Sequence, residues 1–266
     1  YEGGCDPSSP SREGCMNYFF DQHFHVMNII HPNLLSFFSS LEGGIGELVT
    51  SGTLSPSYIL TNKNRKSAAL LNRITNTLTT FEQTIGETLV MMEDDLLGKF
   101  PSHDEEALRP EEPYIRDGKM HMRSRTYDKM AMCPLLMDFS SNKIRNDSLY
   151  YPAPNEEKIL DYVKDTLEGF EYYRTTHPDG LFEFFPFLGI NPQVHTMDFI
   201  EKLLDTYIHI ENDKKQFYGI KFYPPLGYDP WPTDPEQRDK VIMIYEFCTN
   251  HAIPIITHCD DQGFRG

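Results

Sequence analysis

Two histidines lie one residue apart in a short polar segment, and a third ends an apolar run far along the chain. His23 and His25 follow the apolar run 18–20, and His258 ends the run 253–258. Side chains alternate along a strand, so this spacing predicts that Asp21, His23 and His25 project from one face. Three imidazoles from two strand ends are typical of an open, catalytic zinc-type site.

A lysine and a tyrosine end another apolar run, where a parallel sheet would present them beside the histidines. Lys221 and Tyr223 lie two residues apart at the end of the run 218–223 and share a face of the predicted strand. A lysine ammonium has three donors and no lone pair, so Lys221 binds a metal ion only when it is neutral or carbamylated. Two interpretations stay open for Lys221: a metal ligand, and a surface or salt-bridged lysine. The histidines also have an alternative, as polar side chains that find hydrogen-bond partners inside the core.

Apolar runs that alternate with amphipathic segments must position these side chains. From residue 130 onward the alternation is typical of βα units and a parallel sheet. Capping residues precede each predicted helix, and the helices cover 155–175, 196–210 and 234–250. Five strands are predicted: the run before His25, then 130–139, 182–190, 218–223 and 253–258.

A long insertion separates the first two predicted strands, where a simple crossover would need about a dozen residues. Apolar residues at spacings of three and four, from Leu70 to Met92, predict one long amphipathic helix or two helices broken near Gly86. We expect this helical insertion, about 32–125, to pack on the core or on another subunit in a homo-oligomer, or to form a lid over the strand ends. The segment 116–119 predicts a hairpin turn. The acidic clusters 93–95 and 104–106 are expected to be solvated surface.

Composition excludes several classes of protein. The 266 residues carry 40 acidic and 24 basic side chains, a formal net charge of −16 that would repel a phosphate backbone, so no nucleic-acid partner is expected. No apolar run reaches the length of a membrane span. Five cysteines, an odd number without repeated short spacing, favour a reducing compartment and a cytoplasmic location over a disulfide framework. A pairing of Cys5 with Cys15 is the one disulfide that the spacing leaves open.

The three histidines and the run around Lys221 together resemble the amidohydrolase superfamily, in its branch of metal-dependent hydrolases and decarboxylases related to aminocarboxymuconate semialdehyde decarboxylase. The resemblance covers residues 16–30 and about 125–266. It implies an α/β fold of the (β/α)8 TIM-barrel type, with the metal at the carboxyl ends of the strands. It also implies that 1–266 is a single domain holding strands one to five and incomplete at its C-terminus, because the sixth-strand histidine and eighth-strand aspartate of that family are missing.

The same resemblance implies a function. His23, His25 and His258 match the family's histidine ligands, and Lys221 matches the position of a carboxylated lysine, so Lys221 and His258 are the catalytic candidates. The implied reaction is hydrolysis of a C–N or C–O bond of a small molecule by metal-activated water, with one or two ions of zinc, or of manganese or iron. A decarboxylase of the same family, a lactonase-like enzyme with two metals, and a non-catalytic binding module are the alternatives.

Overall fold

The computed structural model describes residues 16–27, 83–99, 112–140, 155–208, 215–226 and 229–258. This part of the chain is an α/β structure with four helices and three three-stranded sheets, two parallel and one antiparallel. The strands are β1 (Tyr18–Phe24), β2 (Ile115–Arg116), β3 (Lys119–Met122), β4 (Arg125–Tyr127), β5 (Lys129–Pro134), β6 (Phe182–Phe184), β7 (Phe187–Gly189), β8 (Gly219–Phe222) and β9 (Ile255–Thr257). The helices are α1 (Ile85–Leu96), α2 (Asn155–Thr176), α3 (Met197–Tyr207) and α4 (Pro235–His251).

The two parallel sheets have the orders β1-β5-β6 and β7-β8-β9. A single bridge between Leu135 and Phe187 connects them, and the Leu136 N–H donates to the Phe187 carbonyl at 3.0 Å. All residues of β7 and β8 are buried, as is usual for parallel strands whose two faces are both covered. Because these strands run in one direction, their carboxyl ends lie at one edge.

The three predicted helices are confirmed as α2, α3 and α4, and the predicted caps Thr196 and Asp234 precede α3 and α4. Thr196 accepts a hydrogen bond from the Phe199 N–H at the start of α3, and Asp234 accepts one from the Gln237 N–H at the start of α4. The buried faces of the helices complete the core against the sheets. In α2, for example, the ring of Phe170 stacks on that of Phe184 in β6 with centroids 4.3 Å apart.

The predicted (β/α)8 barrel is wrong for the part of the chain that the structure describes. A closed barrel requires its last strand to pair with its first, whereas here β1 pairs with β5, β9 pairs with β8, and no described pairing joins β9 to β1. The run 182–190, predicted as one strand, is also divided into β6 and β7 around Phe185 and Pro186. Pro186 has no N–H for a strand ladder, so the sheet hydrogen bonding is interrupted there.

The insertion is described only in part, at 83–99 and 112–125. Its helical character is confirmed by α1, which begins with a capping box between Thr84 and Glu87, and the hairpin is confirmed by β2 and β3, joined by Asp117 and Gly118 at positive φ. Residues 70–82 lie outside the described part. Glu93 of α1 accepts a hydrogen bond from the Leu181 N–H, just before β6. The described helix of the insertion therefore lies near the amino end of that strand, and it is not a lid over the carboxyl ends.

Three further sequence expectations concern membrane spans, cysteines and acidic clusters. None of the helices in the described ranges combines the length and the apolar character needed to cross a membrane.

Cys133 and Cys248 are free thiols, whereas Cys5, Cys15 and Cys259 lie outside the described residues. The acidic cluster 104–106 also lies outside them. The cluster 93–95 differs from the expectation, because Glu93 is buried with 3% of its surface exposed.

Candidate functional site

The pairing of β1 with β5 shifts register, as in a β-bulge, in the segment that carries His23. Asp21 pairs with Met132 and Phe24 pairs with Pro134, so three steps along β1 correspond to two along β5. Strict alternation of side chains is therefore interrupted in the segment that carries His23. The Asp21 carboxylate accepts a hydrogen bond from the His23 backbone N–H at 3.2 Å within this bulge. Bulges are common next to functional sites because they redirect a side chain.

The two imidazoles of this segment lie together. The ring centroids of His23 and His25 are 5.2 Å apart, with the planes at 82°. His25 Nδ1 lies 2.8 Å from the Leu135 carbonyl oxygen. A carbonyl oxygen only accepts, so Nδ1 carries the hydrogen and the neutral ring presents its lone pair at Nε2. A metal-binding histidine typically donates its second N–H to such a partner.

Both rings are held in the uncharged form that a metal ion requires. Burial lowers the pKa of His25 to about 4, and the positive charges of Lys221, His23 and His258 act in the same direction, against the opposing effect of the Leu135 carbonyl. Burial and the charges of Lys221 and His258 also lower the pKa of His23, while Asp21 opposes the shift. His25 is therefore neutral at neutral pH, and the lowered pKa of His23 favours its neutral form. These mutual influences also mean that the four predicted site residues lie within electrostatic range of one another.

The carboxyl edge of the second parallel sheet carries Lys221, Tyr223 and His258. Lys221 lies in β8 with no exposed surface, so the interpretation as a surface lysine is wrong. Its Nζ lies 5.8 Å from the centre of the Tyr223 ring. That ring in turn lies 4.6 Å from the His258 ring and 6.5 Å from the His25 ring, measured between centroids. Tyr223, which is almost fully buried, therefore neighbours both ends of the predicted ligand set.

The chemistry of His23 and His25 suits a divalent cation, but the two side chains do not form a complete ligand set. Two neutral imidazoles, one with its tautomer fixed, are a suitable pair of nitrogen ligands for zinc. Across the described residues, however, no group of three or more His, Cys, Asp and Glu side chains is arranged to hold one ion. The charge of His258 influences the pKa of His23 and of His25. The three histidines nevertheless do not form such a group.

A buried acid and a buried histidine near this edge were missed by the sequence analysis. Asp138 and His195 have no exposed surface, and His195 Nε2 lies 2.7 Å from Asp138 Oδ2. Burial opposes the charge of Asp138, yet His195 and the hydrogen bonds from Ser140 keep the pKa of this carboxyl below its ordinary value. The available signal was one acidic residue inside the apolar run 130–139. Its partner could not be recognised, because the two residues are 57 positions apart.

The chain was compared with protein-family models, with curated proteins and with solved structures, and it has no match in any of the three.

Proposed function

We propose that this protein is a metal-dependent hydrolase of the amidohydrolase type, which binds a divalent cation with His23 and His25 and cleaves a C–N or C–O bond of a small molecule. The observation that carries the proposal is the state of His25. Its Nδ1–H is directed at the Leu135 carbonyl oxygen and its pKa is about 4, which leaves a neutral Nε2 lone pair for a ligand. The resemblance of the histidine spacing to that superfamily supports the same conclusion.

Zinc is the expected metal, since imidazole nitrogens suit it, with manganese or iron as alternatives. A bound zinc ion supplies a water of lowered pKa and polarises a substrate carbonyl group. Within the chain, His23 and His25 would hold the ion. His258, the third ligand that the sequence predicts, lies beside the Tyr223 ring and does not form a three-ligand group with the pair in the described structure. The Tyr223 ring, packed beside His258, would form an aromatic wall of the site.

Lys221 would have one of two roles, depending on whether the site binds one metal ion or two. As an ammonium group, it would donate hydrogen bonds to a substrate oxygen beside a single ion. As a carbamate, formed when its neutral amine takes up carbon dioxide, it would become an oxygen ligand shared by two ions. Intact-protein mass spectrometry under non-denaturing conditions distinguishes these states by the added mass of one carbon dioxide. The single-ion site is the simpler proposal, because it needs no modification.

A non-catalytic binding module is the second candidate function. One observation favours it: the described residues hold no group of three or more metal-binding side chains. In that case the neutral imidazoles and the Tyr223 ring would line a ligand site without turnover. A full chain that keeps its fold and binds no divalent ion would support this candidate over the hydrolase.

The test of the hydrolase uses the full chain, stripped of metal with a chelator and reloaded with zinc, manganese or iron. It is assayed on a panel of esters, lactones and anilides, with unsaturated carboxylic acids added to detect the related decarboxylation. We expect activity on at least one class that is lost on chelation, restored by metal and abolished in His25→Ala. His251→Ala, at the end of α4, is the matched control and should stay active. Activity that is unchanged by chelation or by His25→Ala would contradict the proposal.

The remaining expectations extend this proposal. A small molecule is the proposed partner, because the net negative charge of the chain would repel nucleic acid. We further propose a reducing, cytoplasmic location from the odd number of cysteines and a homo-oligomer formed through the insertion. Size-exclusion chromatography with light scattering tests the last point.

A further inference from the structure

The carboxylate of Asp138 organises a buried hydrogen-bond network beside the site. Its Oδ1 accepts from the Ser140 backbone N–H at 3.0 Å. Its Oδ2 accepts from the Asn191 backbone N–H at 2.9 Å and from His195 Nε2 at 2.7 Å. All four residues are fully buried. Hydrogen bonds to a buried ionised group are among the stronger ones, and removing one partner is costly.

This network joins two segments that leave the parallel strands. Ser140 belongs to the segment that follows β5, and Asn191 and His195 belong to the segment that follows β7. The two segments approach closely, since a Cβ built on Gly189 would lie 2.5 Å from the Leu136 carbonyl oxygen and 2.7 Å from the Asp138 nitrogen. Backbone atoms at such distances cannot yield as a flexible side chain would. The segment after β5 therefore packs directly, backbone against backbone, on Gly189 of β7, and the hydrogen bonds of Asp138 connect it to the segment after β7.

The residue just before this segment, Leu135, provides the carbonyl oxygen that binds the His25 ring. Leu135 accepts the His25 Nδ1–H through its carbonyl oxygen at 2.8 Å. Its own N–H donates to the Phe24 carbonyl at 2.9 Å, and the next residue, Leu136, donates to the Phe187 carbonyl. The position of this carbonyl oxygen thus depends on the segment that the Asp138 carboxylate anchors three residues later.

We propose that Asp138 and His195 are positioning residues, which hold the Leu135 carbonyl oxygen against His25 Nδ1 and so keep the Nε2 lone pair of His25 directed at the site. The part of this inference that concerns metal affinity rests on the proposed function. The part that concerns the tautomer of His25 does not, because it is a property of the chain without a metal ion.

The test measures the tautomer of His25 in the metal-free full chain by nitrogen NMR of the imidazole rings, assigned with His25→Ala. The wild type should show a protonated Nδ1 and an unprotonated Nε2. In Asp138→Asn one of the two acceptor oxygens becomes an NH₂ group, which cannot accept a hydrogen bond, so at least one of the three donors loses its partner. The segment should then loosen, and His25 should shift toward a mixture of tautomers. Glu93→Gln is the matched control: it removes a buried carboxylate near the amino end of β6 and should leave the His25 signals unchanged. A folded Asp138→Asn protein with unchanged His25 signals would overturn the inference.

A second pair of variants keeps the test decisive if Asp138→Asn does not fold. His195→Gln retains an N–H donor for Asp138, whereas His195→Leu has none, so only the leucine variant should alter the His25 tautomer. Equal signals in the two folded variants would overturn the inference. Zinc titration of the same proteins should show a loss of about 10–100-fold in affinity for Asp138→Asn, the usual effect of removing a residue that orients a ligand. If the wild type binds no zinc while the tautomer still responds, the proposed function fails and the positioning role stands.

Discussion

His23 and His25 meet edge to face, with ring centroids 5.2 Å apart. His23 lies within the bulge that separates the pairing of Asp21 from that of Phe24, and His25 follows it. An extra residue in β1 therefore lies where the two imidazoles leave the sheet. The Leu135 carbonyl then fixes the second ring through its Nδ1–H. Together these features place the two imidazoles side by side at the carboxyl edge of the parallel strands.

Lys221 should add to the effect of burial, which is the main cause of the lowered pKa of both histidines. Its positive charge contributes to the lowered pKa of His23 and of His25, so Lys221→Met is expected to raise both pKa values. Proton NMR titration of the imidazole rings measures this. Lys240→Met is the control, because Lys240 is also buried but pairs with Glu236 on α4. An unchanged His25 pKa in Lys221→Met would show that Lys221 carries no positive charge beside it.

The same substitution separates one bound ion from two. If Lys221 is a carbamate shared by two ions, Lys221→Met should halve the metal content per chain. If one ion is bound by imidazoles, the content should stay the same. Inductively coupled plasma mass spectrometry of the dialysed proteins provides the ratio. A complete loss of metal would contradict both forms of the account, because His23 and His25 remain in this variant.

The pH dependence of stability follows from the lowered pKa of His25. The unfolded chain takes up a proton at this residue below about pH 6.5, whereas the folded chain does so only near pH 4. In this window the unfolded state binds more protons, so the free energy of unfolding should fall as the pH falls, by at most about 1.4 kcal/mol per pH unit for one such group. Urea unfolding across this range measures the slope. His25→Leu should show a shallower slope than the wild type, and equal slopes would contradict the assigned pKa.

Glu93 and Tyr173 should be energetically coupled in the docking of α1 on α2. The Tyr173 hydroxyl donates to Glu93 Oε2, and the Leu181 N–H donates to Oε1 at 2.8 Å. Glu93→Gln should lower the free energy of unfolding by about 1–3 kcal/mol, since it disturbs a buried hydrogen-bonded group. A double-mutant cycle with Tyr173→Phe should give a coupling of about 0.5–3 kcal/mol. Simple additivity of the two substitutions would show that the contact contributes no interaction energy.

Local sequence features predicted much of the secondary structure. Thr196 and Asp234 are the N-cap residues of α3 and α4, as their residue types predict. Asp117 and Gly118 have the two positive φ values that a tight hairpin turn needs. Each of the five predicted strand runs contains a parallel strand. These features depend on neighbouring residues along the chain, which is why they can be read from it.

Long-range features could not be predicted in this way. Tyr173, which donates a hydrogen bond to the buried Glu93, is 80 positions away in the sequence. The bulge between Asp21 and Phe24 depends on the register of β1 against β5. The barrel expectation failed because a resemblance in ligand spacing says nothing about which strand pairs with which. For the site, spacing predicted the histidine pair, whereas the Leu135 carbonyl and the Asp138 network are contacts that only the folded chain creates.

The most direct test of the account is the zinc content of the full chain and of three single variants, measured after metal loading and dialysis. The wild type should retain one zinc ion per chain, or two if Lys221 is carbamylated. His23→Ala and His25→Ala should each weaken zinc binding by more than the roughly 10–100-fold expected for a supporting residue, with circular dichroism unchanged, while His251→Ala should bind as the wild type does. Zinc retained equally by all four proteins, or by none of them, would contradict the central claim that His23 and His25 form a metal site.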